Sequence, residues 1–217
     1  PGRIVVWGCP AEELLAGKAY MARDGAFRDN DAILCWHPGS NQVNRKGGAA
    51  LDSLLFEFRG KTAHAAAGPH LGFSALDGVM LMDVAVNYLR EHVPENVRIH
   101  MCIRHGGDAP NVVPAYAKSW YFIRGRDRQQ VDEVRSRLLA CAKGAALATG
   151  TTVKHTLLTA IYPRLENEAL ACALAANLQL LGAVKPTAAD RRDIIRLGRK
   201  PNFDTQLRVA PRSGEQP

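Results

Sequence analysis

Paired cysteines, long apolar runs and low-complexity tracts are all missing from this 217-residue sequence. Its five cysteines (Cys9, Cys35, Cys102, Cys141 and Cys172) are odd in number, scattered, and never spaced as CxxC. That excludes a disulfide framework and reads as reduced thiols in a cytoplasmic protein. No stretch approaches the roughly 20 apolar residues of a membrane-spanning helix. No charged segment followed by an apolar one opens the chain, so no secretory signal is visible. Basic stripes interleaved with aromatics, the pattern that stacks nucleic-acid bases, are also lacking. The formal charge is nevertheless +7. From Lys185 onward eight Lys/Arg face four Asp/Glu, which accounts for +4 of it. The rest of the chain is close to balanced, so neither nucleic acid nor a membrane is the expected partner.

What is present is ordinary globular material, 47% hydrophobic and 23% charged, enough for one large or two small domains. Apolar runs at residues 3–7 and 32–36 read as buried strands. A helix is expected between them, from Ala11 to about Asp24. Residues 38–50 read as a polar, glycine-rich connection. A different unit then begins. Leu54, Phe56 and Phe58 alternate with Leu55, Glu57 and Arg59 as in a half-buried strand. Gly60 to Gly72 reads as a loop. A helix over 74–91 places Val79, Met82, Val86 and Leu89 on one face. Val97 to Ile103 alternates again, and residues 117–124 form another strand. Asp127 caps a helix ended by Gly150, and Thr152 to Ala160 is a last strand.

The order is β-α-β-β-α-β, a ferredoxin-like arrangement. The expected fold class is therefore α/β: a partial catalytic sheet domain with an inserted ferredoxin-like module. The domain expectation is 1–50 for the partial catalytic part and 51–161 for the inserted module. Residues 162–190 return to the catalytic part through a helix from Glu168 to Leu181. Residues 191–217 are expected to be an irregular, poorly ordered tail.

Several residues carry chemistry. Glu12 and Glu13 are adjacent carboxylates after Gly8-Cys9-Pro10-Ala11. Like charges at close range are awkward unless a cation offsets one of them. The plain alternative is two solvated acids in the first turn of a helix. His37 ends the second apolar run, 24 residues after Glu13. Glu13 and His37 would sit at the carboxyl ends of two strands of one sheet, where open α/β sheets place ligands. They supply two ligands, whereas a catalytic zinc takes three and a water. His64 lies among alanines just past a strand, with His70 a weaker candidate; a loop histidine is more often merely solvated. Asn111 either caps a turn or grips a substrate carboxylate. Arg124 ends a strand, and its fork suits a carboxylate.

The strings GCPAEE, CWHPG, FRGKTAHAA with GPHLGFSALDG, and NVVP with WYFIR resemble the di-metal amidohydrolases and carboxypeptidases. That family includes aminoacylase, carboxypeptidase G and the indoleacetyl-amino-acid hydrolases. The likeness covers about residues 1–184. It implies metal-dependent hydrolysis of an amide in an N-acyl, aminobenzoyl-type amino acid or glutamate conjugate. It implies divalent zinc or manganese, two per complete site. Glu12 would match the general base, and Glu13 and His37 would match metal ligands. His64 would match a lid histidine reaching across a homodimer to the reaction oxyanion. Asn111 and Arg124 would match groups holding the substrate carboxylate.

The chain also departs from the pattern. The family takes further ligands upstream of its Glu pair and a histidine near its C-terminus. Only eleven residues precede Glu12 here, and no histidine follows His155. The chain therefore reads as a fragment that is catalytically incomplete. The competing readings are a non-catalytic dimerisation module and a ferredoxin-like regulatory domain.

Overall fold

The computed structural model describes residues 2–37, 43, 47–182 and 186–198. They divide into two units: Pro1–Asp31 with Gly48–Arg164, and Ala32–Gly47 with Leu165–Pro217.

The first unit opens with irregular residues and a short helix, α1 (Gly17–Arg23). It continues through β1 (Ala50–Arg59), α2 (Ala75–Glu91), β2 (Arg98–His105), β3 (Tyr116–Gly125), α3 (Arg128–Thr149) and β4 (Thr152–Ile161). The strands form one antiparallel sheet in the order β2-β3-β1-β4. This is the ferredoxin-like βαββαβ module that the alternating patterns predict. Leu54, Phe56 and Phe58 of β1 and Ala117, Tyr121 and Ile123 of β3 are fully buried on the helix side. Val79, Met82, Val86 and Leu89 of α2 meet them, as do Val131, Val134, Leu138 and Ala142 of α3. Each large side chain buried this way contributes about 1.5–3 kcal/mol. The helix starts are set locally. Ser74 Oγ accepts from the Asp77 amide at 3.2 Å, and Asp127 Oδ1 accepts from the Gln130 amide at 2.9 Å. Gly150 closes α3 in the left-handed conformation, with φ 65°.

A charge network ties β1 to α3. Asp52 is fully buried, yet its two oxygens accept from Arg128 and Arg135, both at 2.7 Å. Asp132 bridges the same two arginines at 2.6 and 2.9 Å. Arg128 Nη1 also donates to the carbonyls of Leu51 and Ile161 at 3.3 Å. Burial alone would lower the Arg128 pKa, but its bonds to Asp52 and Asp132 hold it above the ordinary value.

The second unit contains α4 (Glu168–Leu181) and α5 (Ala188–Arg196). Asn167 caps α4 by accepting from the Leu170 amide at 3.0 Å, and Gly182 closes it. Leu181, the last residue of α4, is exposed.

Three local expectations are corrected. The runs 3–7 and 32–36 belong to no strand, and Ile4, Val6 and Trp36 are 93, 91 and 84% exposed. A strand needs a neighbouring row of donors and acceptors, and no described residue pairs with either run. The expected helix over 11–24 is confined to Gly17–Arg23, because Ala11 and Leu15 adopt positive φ of 53° and 58°. Part of the stretch expected to be irregular is helical. In α5 Thr187 and Asp190 form a reciprocal capping box. The remainder of that tail, 199–217, and most of the 38–50 connection lie outside the described residues.

Two outcomes follow from the charge network. Asp52→Ala leaves two guanidinium groups without their carboxylate and costs about 3–5 kcal/mol. A melting curve should show Tm lowered by roughly 10 °C or more. The bond from Arg128 holds the Asp132 carboxyl below the usual range. Its contribution is present above the unfolded value and is lost as pH falls through the lowered folded value. Tm should therefore drop below about pH 4, and Asp132→Asn should flatten that drop.

Candidate functional site

The β1–β3 pairing does not stop where the strands end. Beyond Arg59↔Tyr116, the Gly60 amide donates to Ala115 O at 2.9 Å. The Val113 amide donates to Ala63 O and the Ala65 amide to Asn111 O, both at 3.0 Å. His64 and Val112 thereby form an isolated antiparallel bridge. The loop is tied a second time by the reciprocal bonds of Lys61 and Phe73, both at 2.9 Å. Gly60 permits this closure: a Cβ there would lie 1.9 Å from Phe73 O. His64 and Asn111 are thus neighbours at one end of the sheet.

His64 is exposed and lines an open depression of ≈ 420 Å³ with Lys61, Thr62, Ala67 and Leu71. The chain turns back on it. The Gly68 amide donates to His64 O at 3.0 Å. The amides of Ala66 and Ala67 donate to His64 Nδ1 at 3.2 and 3.1 Å. His70 is exposed in the single 3-10 turn Pro69–Leu71 that follows.

Arg124 is not in this cluster. It is exposed near the far end of β3, opposite Leu51 and Arg98, with its guanidinium 5.9 Å from the Phe122 ring centre. Eight residues separate it from Tyr116, about 26 Å at roughly 3.3 Å per residue. A single copy therefore does not bring Arg124 and His64 to one small molecule. On β2, opposite Phe122, burial and then the charges of Arg124, Arg90 and Arg98 lower the His100 pKa.

Glu12 and Glu13 are exposed in a turn, not in the first turn of a helix. The Leu15 amide donates to Glu12 O at 2.8 Å, between the two positive-φ residues Ala11 and Leu15. Each such residue costs about 1–3 kcal/mol, strain that clusters at functional sites. Gly17 lets the chain return against Pro10, where a Cβ would sit 1.7 Å from the carbonyl oxygen. His37 is exposed and belongs to the second unit, while the two glutamates belong to the first. Among the described residues, no three His, Cys, Asp or Glu side chains gather closely enough to hold a metal ion.

One apolar surface escaped the sequence reading. Leu81, Val84 and Tyr88 form a second stripe on α2, 38, 49 and 72% exposed. Their 3,4 spacing was visible, but the core stripe on the same helix obscured it. α2 lies over β3 and β1 and is tied to edge strand β2 by Arg90, which donates to Ile99 O at 3.2 Å.

Residues 45–149 match the family model of the M20 peptidase dimerisation domain. One of the two polypeptides of the p-aminobenzoyl-glutamate hydrolase of Escherichia coli is 41% identical over 184 residues, which cover 83% of this chain and 38% of that protein. The chain belongs to the M20 amidohydrolase and carboxypeptidase family. The mouse Xaa-Arg dipeptidase is another relative of this M20 chain, 33% identical over 70% of the chain and 36% of the dipeptidase. The crystal structure of an aminobenzoyl-glutamate utilization protein from Klebsiella pneumoniae shares the fold at a TM-score of 0.54 and 20% identity. That match covers 73% of this chain and 42% of that one. The M20 chain thus spans well under half the length of these relatives.

The bridged loop gives a direct test. Gly60→Ala drives a methyl group into a backbone oxygen, so β1 and the loop must shift. Hydrogen exchange at Ala65 and Val113 should accelerate, with a stability loss of about 1–3 kcal/mol.

Proposed function

We propose that this chain is part of a metal-dependent amidohydrolase acting on N-acyl amino acids, with aminobenzoyl-glutamate-type conjugates as the substrate class. The carrying observation is the opposite-end placement of His64 with Asn111 and of Arg124. Pairing β2 with β2 of a second copy about a two-fold axis makes one continuous sheet. It turns the far end of one copy to the same side as the near end of the other. The homodimer then offers His64 of one copy and Arg124 of its partner to one substrate. Three features support this pairing: β2 is an open sheet edge, Leu81, Val84 and Tyr88 lie on the helix beside it, and the residues match a dimerisation domain. The function in cytoplasm fits five free thiols.

In this reading Arg124 and Asn111 hold the substrate carboxylate, and His64 donates a hydrogen bond to the oxyanion that forms at the amide carbon. Glu12 removes a proton from the attacking water and returns it to the leaving amine. Glu13 and His37 are the metal ligands assigned to this chain, for zinc or manganese. The described residues do not by themselves form the three-ligand set that catalytic zinc takes. We therefore assign the chain a binding role in an incomplete centre, without turnover of its own.

Titration of aminobenzoyl-glutamate into the purified chain tests the reading. Arg124→Gln removes a charged hydrogen bond and should weaken binding by about tenfold or more. Val84→Arg should convert the dimer to a folded monomer by sedimentation and weaken binding as much. Equal binding by the monomer would refute the two-copy site. Substantial turnover of N-acyl amino acids with added zinc or manganese would refute the incomplete centre.

A further inference from the structure

We infer that the backbone amides of Ala66 and Ala67 fix His64 in the tautomer that carries its proton on Nε2. The side chain then presents a proton donor, not a lone pair, to the depression it lines. This rests on the role for His64 proposed above and adds how that role is built.

A neutral imidazole has one N–H and one bare nitrogen. Two amide N–H groups point at Nδ1, at 3.2 and 3.1 Å. A hydrogen on Nδ1 would face both of them, so Nδ1 is the bare nitrogen and accepts. The proton of the neutral ring is consequently on Nε2. The ring is also held in position, because the Gly68 amide bonds to the His64 carbonyl and the His64–Val112 bridge fixes the backbone on the other side. A histidine arranged this way stabilises a developing negative oxygen without losing or gaining a proton. It is unsuited to bind a metal: Nδ1 is already engaged, and Nε2 carries hydrogen. A ligating histidine has the reverse arrangement, with its second nitrogen donating to a carboxylate or carbonyl. Ala66 and Ala67 are therefore positioning residues, acting through main-chain groups that no side-chain identity reveals.

Nitrogen-15 NMR of the intact chain decides this without any activity measurement. The chain has seven histidines, and His64→Gln identifies the relevant signal by its loss. The expected result is a bare Nδ1 and a protonated Nε2 in the neutral ring, in excess of about tenfold over the other form, as two hydrogen bonds support. Ala66→Pro and Ala67→Pro each delete one donor and should lower that excess severalfold, with the other six histidine signals unchanged. Added zinc should leave the His64 signal where it was. A protonated Nδ1, a mixed ring in the parent chain, or a zinc-dependent shift of His64 would overturn the inference. If the tautomer is as stated but His64→Ala binds a tetrahedral phosphinate analogue of aminobenzoyl-glutamate as tightly as the parent, the proposed role of His64 fails and the tautomer stands.

Discussion

The β1–β3 ladder is the constraint from which the rest of this chain takes its geometry. It joins ten residue pairs, Ala50↔Gly125 through Arg59↔Tyr116, and continues past the Arg59↔Tyr116 end into the loops. Because β1 and β3 occupy the two central positions, the core, both helices and both outer strands are referenced to this one register. A slip of one residue would turn Phe56, Phe58 and Tyr121 to the helix-free face. The same slip would part His64 from Asn111.

The charge network on α3 reinforces that register from the side. A buried carboxylate in the middle of apolar neighbours is tolerated only when its partners reach it with good geometry. Arg128 and Arg135 reach Asp52 from positions about two turns apart on α3, and Arg128 also touches main-chain oxygens on β1 and β4. The helix is thereby fixed along its axis as well as against the sheet. Apolar packing alone, being non-directional, would specify that less sharply.

Much of the module was legible because its signals are local. The four inward residues of α2 follow helical spacing, Ser74 and Asp127 are caps of ordinary type, and Gly150 suits a left-handed close. The runs 3–7 and 32–36 misled for a physical reason: apolar composition announces strand propensity, but pairing depends on a neighbour that composition does not name. Asp52 was invisible because a charged residue reads as surface until its two partners, 76 and 83 residues away, are located. For the candidate site, His64 was legible from its small neighbours. Its relation to Asn111 is a backbone bridge between segments 48 residues apart, and the amides that hold its ring belong to two alanines. The strained turn around Glu12 and Glu13 escaped notice because neither Ala11 nor Leu15 is a residue type that advertises positive φ.

The distance between Arg124 and His64 has a genetic consequence if two copies share each centre. Join one polypeptide lacking a functional Arg124 to another lacking a functional His64. One of the two centres inherits both defects, and the other inherits neither. Each mixed dimer would then hold one intact centre, so two defective alleles expressed together would restore binding that neither gives alone. A molecule whose working parts all lay within one polypeptide would show no such rescue.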